Sequence, residues 1–398
     1  MPPTETTIRP SEMLEVFATG LREVTFPGSH SEQRLRPLDL SMSLEGGAGV
    51  TCRKRIGIWS IVVFAQASPV NCIERSVLVW AEKFPGADLA KKMQQGAGVS
   101  ELTSESRFVD SFETHIAGID SVALDQLHAL SMTVAWPHRG EDWQFLREFG
   151  QGIVAIDDIG RILGSAMWFP YDAQFATVGM VITSPRLQTN GAGQWLMGHA
   201  LNQVAGRNLG LNATRAARRL YRSLNFVREA LVFQCHGEAI SPPDVDPPSG
   251  AVIRAVEAGD LEAIAELDCV AFGTDRKLLL ARLLANSKGI VLSRAGRIEA
   301  FSLCRRFGRG HVIGPVVARS DADAIAVVRP HAAEHAGAFL RLDTREQGGA
   351  FSDFLSRCGL PVYDIVTTMS LGGPWLPVAG RAVAPEPKTY ALVSQALG

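Results

Sequence analysis

"VITSPRLQTNGAGQWLM", residues 181–197, decides how this chain is read. An apolar, β-branched run stops at Ser184-Pro185, where proline ends a regular element. A polar turn holding Asn190, Gly191 and Gly193 follows, and from Trp195 apolar residues return at helical spacing. Strand, glycine turn and helix in that order have two readings. One is an ordinary connection. The other is an anion cradle, because glycines let a backbone approach a ligand and the first amides of a helix lack acceptors at the positive end of its dipole. Two other glycine motifs are excluded: there is no GxxxxGK[ST], and the spacing after Gly193 does not give GxGxxG.

The pattern extends in both directions. "FATVGMVITSP", residues 175–185, predicts the strand before the turn. "GQWLMGHALNQVAG", residues 193–206, predicts the helix after it, with Trp195, Leu196, His199, Ala200 and Gln203 on one mostly apolar stripe. "LGLNA" reads as a short strand, "TRAARRLYRSLNF" as a short helix and "REALVFQCHG" as a closing strand. Upstream, "IDSVALDQLHALSMTVAW" and "GIVAIDDIGRILGSAMWF" predict an amphipathic helix and a hairpin. The same order recurs in "EAGDLEAIAELDCVAFG" and "GIVLSRAGRIEAFSLCRRF". The shared GIV and GRI favour an internal duplication, with hairpin apices at Asp157–Gly160 and Arg294–Gly296 that differ by one residue. The second copy runs through "GHVIGPVVARSDADAIAVVRPHAAEHAG" from strand to helix without a glycine loop. "EAISPPDVDPPSG", residues 238–250, separates the copies, and its four prolines disfavour helix and sheet.

Composition sets the class. The 398 residues are 46% hydrophobic and 20% charged with a net charge of -2, which fits a folded globular chain and argues against a strongly basic nucleic-acid binder. Cys52, Cys72, Cys235, Cys269, Cys304 and Cys358 form no CxxC pair, so no zinc ribbon or redox motif is indicated and a reducing, cytoplasmic setting is expected. The N-terminal MPPTETTIRP lacks the features of a signal peptide. The uncharged run "IGIWSIVVFAQASPVNCI", residues 56–73, is broken by Gln66, Pro69 and Asn71 and reads as a buried strand or helix, not a membrane anchor. In residues 1–110, "EMLEVFATGLREV" predicts a helix, "RSVLVWAEKF" a strand or helix, and residues 86–106 a polar loop; no motif there carries chemistry.

The first copy resembles the GNAT superfamily of N-acetyltransferases. The signature loop stands as Gln188-Thr189-Asn190-Gly191-Ala192-Gly193, followed by Asn212 in "LNAT" and by Tyr221 and Phe226 in "LYRSLNF". The whole arrangement is similar to tandem-GNAT proteins with a degenerate second unit, over residues 112–372, roughly two thirds of the chain. The resemblance implies an α+β fold of two tandem, mixed, mostly antiparallel sheets flanked by helices. A catalytic unit would span 111–240, a linker 241–250 and a degenerate unit with a tail 251–398, behind an extension at 1–110. One departure is Asn225, where the family has glycine; asparagine tolerates a left-handed backbone better than most residues.

The activity implied is acetyl transfer from acetyl-CoA, as cosubstrate, to an amine. The main chains of Val181, Ile182 and Thr183 would hold the pantetheine arm and polarise the thioester carbonyl where their strand splays from its neighbour. The loop from Gln188 to Gly193 would hold the diphosphate, and a Cβ at Gly191 or Gly193 would crowd it. Asn212 would contact the cofactor or order the helix start. Tyr221 would be the general acid, because a phenol near pKa ~10 keeps its proton at neutral pH for a departing thiolate of pKa ~8.5. The base is unassigned among Asp172, His138, Glu141 and a water chain. The acceptor is a small molecule or peptide amine of open identity; no nucleic acid, membrane or metal is expected, and the oligomeric state is undetermined. The rival reading is a non-catalytic acyl-CoA-binding or regulatory module. His331 and His335, four apart, read as surface histidines without a third ligand, and Arg305, Arg306 and Arg309 around Phe307 read as a solvated turn. No GxSxG supports hydrolase chemistry.

Overall fold

A computed structural model describes residues 105–109, 112–185, 187, 191–376 and 386–398, together with four strands nearer the N-terminus. The chain divides into two compact units, Met1–Gln95 and Gly96–Gly398. In the first, β1 (Ser41–Leu44), β2 (Gly49–Ile56), β3 (Trp59–Gln66) and β4 (Ser76–Trp80) form an antiparallel sheet in sequence order. Trp59–Gln66 of the uncharged run is therefore a strand, as its β-branched Ile61, Val62 and Val63 favour. No helix among the described residues is long and apolar enough to cross a membrane. The helix expected at 12–24 lies outside the described residues, as does almost all of 86–106.

The larger unit is two copies of one pattern. After a short edge strand β5 (Ser106–Val109), the first copy runs β6 (Phe112–Gly118), α1 (Leu124–Met132), α2 (Gly140–Phe149), β7 (Gln151–Asp157), β8 (Ile162–Pro170) and β9 (Phe175–Thr183). It continues through α3 (Ala192–Gln203), β10 (Asn208–Ala213), α4 (Arg218–Ser223) and β11 (Val227–Glu238). The second copy repeats it: β12 (Val252–Ala255), α5 (Leu261–Phe272), α6 (Lys277–Asn286), β13 (Lys288–Arg294), β14 (Arg297–Phe307), β15 (Gly310–Ala318), α7 (Asp321–Glu334), β16 (Phe339–Thr344), α8 (Ala350–Arg357) and β17 (Val362–Leu371). A last strand, β18 (Lys388–Ala391), has no counterpart in the first copy. The duplicated hairpins turn at Gly160 with φ 79° and at Ala295 and Gly296 with φ 48° and 79°.

The copies share one sheet, ordered β12-β13-β14-β15-β16-β11-β17-β10-β9-β8-β7-β6-β5, with β18 on β15. The closing strands are exchanged. β11 pairs with β16 of the second copy, β17 pairs with β10 of the first, and β11 and β17 lie side by side. Helices cover the faces. α3 buries Trp195, Leu196, Met197 and Ala200 among Ala155, Ala166, Leu209 and Leu211, and each such large side chain contributes about 1.5–3 kcal/mol of burial.

Candidate active site

The site starts from a defect in β9. Antiparallel pairing with β8 runs Gly164↔Thr183 and Ser165↔Ile182, then resumes at Met167↔Gly179, so Met180 and Val181 together oppose Ala166. This is a β-bulge. Met180 takes the left-handed φ of 50°, and the Ser165 hydroxyl donates to its carbonyl at 2.7 Å. On the other edge, parallel pairing with β10 covers only Asn208↔Phe175 to Gly210↔Thr177, while β10 stays on β17 as far as Ala213↔Thr367. Beyond Thr177 the two strands part.

The register of the strand sorts the candidate main chains. Ser184 N–H donates to the Leu163 carbonyl at 2.7 Å. Ile182 and Thr183 stay in register with Ser165 and Gly164 of β8, whereas Val181 lies within the bulge.

Downstream, Gly191 begins α3 with φ 68°, a conformation costly for a residue with a Cβ. The first turn of α3 carries no acidic side chain. Ala192 is buried, and a Cβ on Gly193 would lie 2.9 Å from Leu220, so that glycine also serves the contact of α3 with α4. Gln188, Thr189 and Asn190 lie outside the described residues.

Asn212 is held by the second copy: its amide donates to the Gln395 carbonyl at 2.8 Å, and its oxygen accepts from Thr368 Oγ1 at 2.8 Å. Tyr221 is buried on α4, edge-on to Phe226 at 5.9 Å. Burial alone pushes its hydroxyl pKa above the ordinary tyrosine value. Asn225 takes the left-handed turn that its residue type allows, with φ 65°.

Met180, Val181, Asn212 and Tyr221 line a cleft of about 1200 Å³. Thr183 and the α3 glycines are not among its lining residues. The cleft is also lined by His138, by Glu141 of α2, and by Arg305, Arg341 and Ser394–Ala396 of the second copy. His138 and Glu141 thus reach the cleft. Asp172 does not: it caps the β8–β9 turn, accepting from Gln174 N at 2.6 Å and Phe175 N at 2.7 Å. Burial, then the charge of Arg341, lowers the His138 pKa to about 4, so its ring is neutral at neutral pH.

Two expectations need correction. Arg305 is not part of a solvated turn: it is 8% exposed, on the same face of β14 as Phe301, Leu303 and Phe307, while Arg306 points outward. That period of two was readable in the sequence. His331 is not a surface residue either. It is 1% exposed, with Nε2 3.0 Å from Ser302 Oγ, and His335 Nδ1 lies 2.9 Å from the His331 carbonyl. Among the described residues no cluster of metal ligands forms.

The corresponding place in the second copy is filled. β15 and β16 pair only at His311↔Leu340 and Val312↔Arg341 before parting. β18 then lies along β15, from Val316↔Ala391 to Ala318↔Lys388, and Leu392 N–H donates to the Asp343 carbonyl at 2.9 Å. The first turn of α7 holds Asp321 and Asp323. The Asp321 carboxylate accepts from Tyr390 OH at 2.8 Å and from Phe351 N–H, the start of α8, at 3.1 Å. Carboxylates thus stand in the first turn of α7, where the first turn of α3 has none.

Comparison with known proteins agrees with this layout. Residues 148–228 match one acetyltransferase (GNAT) domain model and residues 264–382 a second, together about half of the chain. An uncharacterized N-acetyltransferase, YitH of Bacillus subtilis (strain 168), is 24% identical over 292 residues, covering 72% of this chain and 96% of that protein. Among solved structures, a putative acetyltransferase from Pyrococcus horikoshii superposes with a TM-score of 0.57 at 19% identity, over 74% of this chain and 99% of its own. A tandem GNAT protein from the clavulanic acid biosynthesis pathway matches at 14% identity and a TM-score of 0.49, over 66% of this chain and 99% of its own. With the bulged strand, glycine turn and Tyr221 inside one matched region and β13 to β17 of the second copy inside the other, the chain belongs to the GNAT acetyltransferase superfamily as a tandem pair of units.

Proposed function

We propose that the first unit transfers an acetyl group from acetyl-CoA to an amine of a small molecule or peptide held in the cleft. One observation carries this reading: β9 bulges at Met180 and leaves β10 beside the cleft that Tyr221 lines, whereas the equivalent opening in the second unit is filled by β18. The local chemistry fits the cosubstrate. A left-handed glycine and an α3 first turn without carboxylates suit a diphosphate, and the acidic start of α7 does not. Acetyl-CoA supplies a thioester carbonyl. The Val181 main chain, in the bulge beside the cleft, polarises it as an oxyanion site would. The amine forms the new C–N bond as the C–S bond breaks. Tyr221, kept protonated by its burial, gives its proton to the departing sulfur.

Isothermal titration of acetyl-CoA into the full chain tests the binding, and thiol release across a library of amines tests the transfer. Replacing Tyr221 with Phe separates an enzyme from an acyl-CoA-binding module. Turnover should fall by about 100-fold or more while acetyl-CoA binding persists. Binding without turnover on any amine would leave the module as the better account.

A further inference from the structure

The part of the cleft contributed by the second unit contains a buried cation that makes no ion pair among the described residues. It is Arg305, 8% exposed. Its Nη2 donates to the Val393 carbonyl at 3.0 Å, and its Nε has no partner among the described residues. The guanidinium lies 5.3 Å from the Phe145 ring and 5.1 Å from the Phe307 ring. The other arginines with carboxylates at hand are satisfied: Arg139 with Asp142, Arg282 with Glu148 and Arg341 with Asp343. Asp142, the acid whose charge acts on Arg305, already accepts from Arg139 N, Nε and Nη2 and from Gly308 N. Burial drives the Arg305 pKa down to about 10, and the charge of Asp142 opposes that shift only in part. His138 packs against the same Phe307 ring at 5.3 Å, and its Nδ1 also lacks a partner among the described residues.

The position is what gives this cation a use. Val393, which Arg305 holds, is followed by Gln395, which binds Asn212, and by Ala396, whose carbonyl accepts from Thr177 Oγ1 at 2.9 Å. Arg305 therefore stands one short segment of chain from the place where β9 and β10 part, and it lines the same cleft as Tyr221. One buried guanidinium calls for one negative charge, and its planar fork matches a carboxylate. We propose that the acceptor amine carries a carboxylate, as a free amino acid does, and that Arg305 is the residue that receives it. This rests on the acetyl-transfer reading above.

The test uses the full chain, with free amino acids, the matching amino acid amides and aminoalkyl phosphates as acceptors, and acetyl-CoA as donor. Thiol release is expected with amino acids and not with their amides or with the phosphates. Arg305→Gln is expected to raise KM for the accepted amino acid on the order of 100-fold while leaving the acetyl-CoA Kd unchanged. Arg305→Lys, which keeps the charge and loses the fork, is expected to fold and to be impaired in KM as well. Arg305→Met is expected to raise the melting temperature of the free protein, since it removes a buried charge without a partner. A residue that serves only to anchor Val393 would lower it. Turnover on amides equal to that on the acids, turnover confined to the phosphates or to other amines without a carboxylate, or an unchanged KM in Arg305→Gln would overturn the proposal. Acetyl-CoA binding with no turnover on any of the three sets would overturn it too. Failure of acetyl-CoA to bind at all would instead remove the reading on which it stands.

Discussion

At Gly179 a side chain is excluded by the packing. A Cβ built there would lie 2.6 Å from that of Ala396, and the Ala396 backbone closes the remaining space at 2.9 Å. Backbone cannot retreat as the end of a flexible side chain can. Gly179→Ala is therefore expected to lower stability by about 1–3 kcal/mol, read in a denaturant titration, and to reduce turnover by displacing the segment that meets Asn212. Tyr221 poses the opposite case, since its hydroxyl has no structural partner among the described residues and its loss should leave stability within ~1 kcal/mol while turnover falls. Tyr221, Asn225 and the glycines were legible in the sequence because each is defined by its immediate neighbours along the chain. Asn212 was legible as the end of a short strand but not in its bonds, because Gln395 and Thr368 lie far away in sequence.

Among the elements, α3 and α7 make a natural pair. Both follow the strand that parts from its neighbour, but α3 opens on Gly191 and α7 on Ser320, Asp321 and Asp323. Gly191→Val should cost about 1–2 kcal/mol through its positive φ and weaken acetyl-CoA binding in a calorimetric titration. On α7 the Ser302 hydroxyl donates to the Val327 carbonyl at 2.7 Å, so His331 Nε2 must be the donor toward the Ser302 oxygen. Burial lowers the His331 pKa from 6.5 to about 4. In the unfolded chain this ring takes its proton near 6.5, whereas in the folded chain it does so only near 4. The stability tied to the neutral form is thus full above 6.5 and is lost as pH falls from there toward 4. Melting temperature should decline across that window, and His331→Gln should decline less steeply. The strand-turn-helix of α3 could be read ahead of the structure, since it combines two local periodicities. The filling of the second opening by β18 could not, because no local pattern records which strands a distant segment joins.

Across the molecule, the exchange of β11 and β17 joins the two units more firmly than the proline-rich linker suggests. Neither copy retains its own closing strand beside its own β10 or β16. Residues 251–398 expressed alone should show no cooperative thermal transition, and co-expression with residues 96–250 should restore one. Cleavage within the linker of the folded protein should leave a single transition, because the strands already hold the halves together. The duplication was visible in the repeated GIV and GRI, yet sequence gave no sign that the copies interlock, since hydrophobic alternation specifies a buried strand without naming its partner.

A symmetric pair of separate chains would meet every mutation twice, once on each side of its axis. Fusion removes that restriction. Once one copy could change without the other, the Asp321 carboxylate and β18 were free to close one slot while the remaining one recruited Arg305 from the closed half. Asymmetry of this kind lets a single gene carry two descendants of one pattern in different states, one slot lined by residues of both halves and the other closed by its own tail.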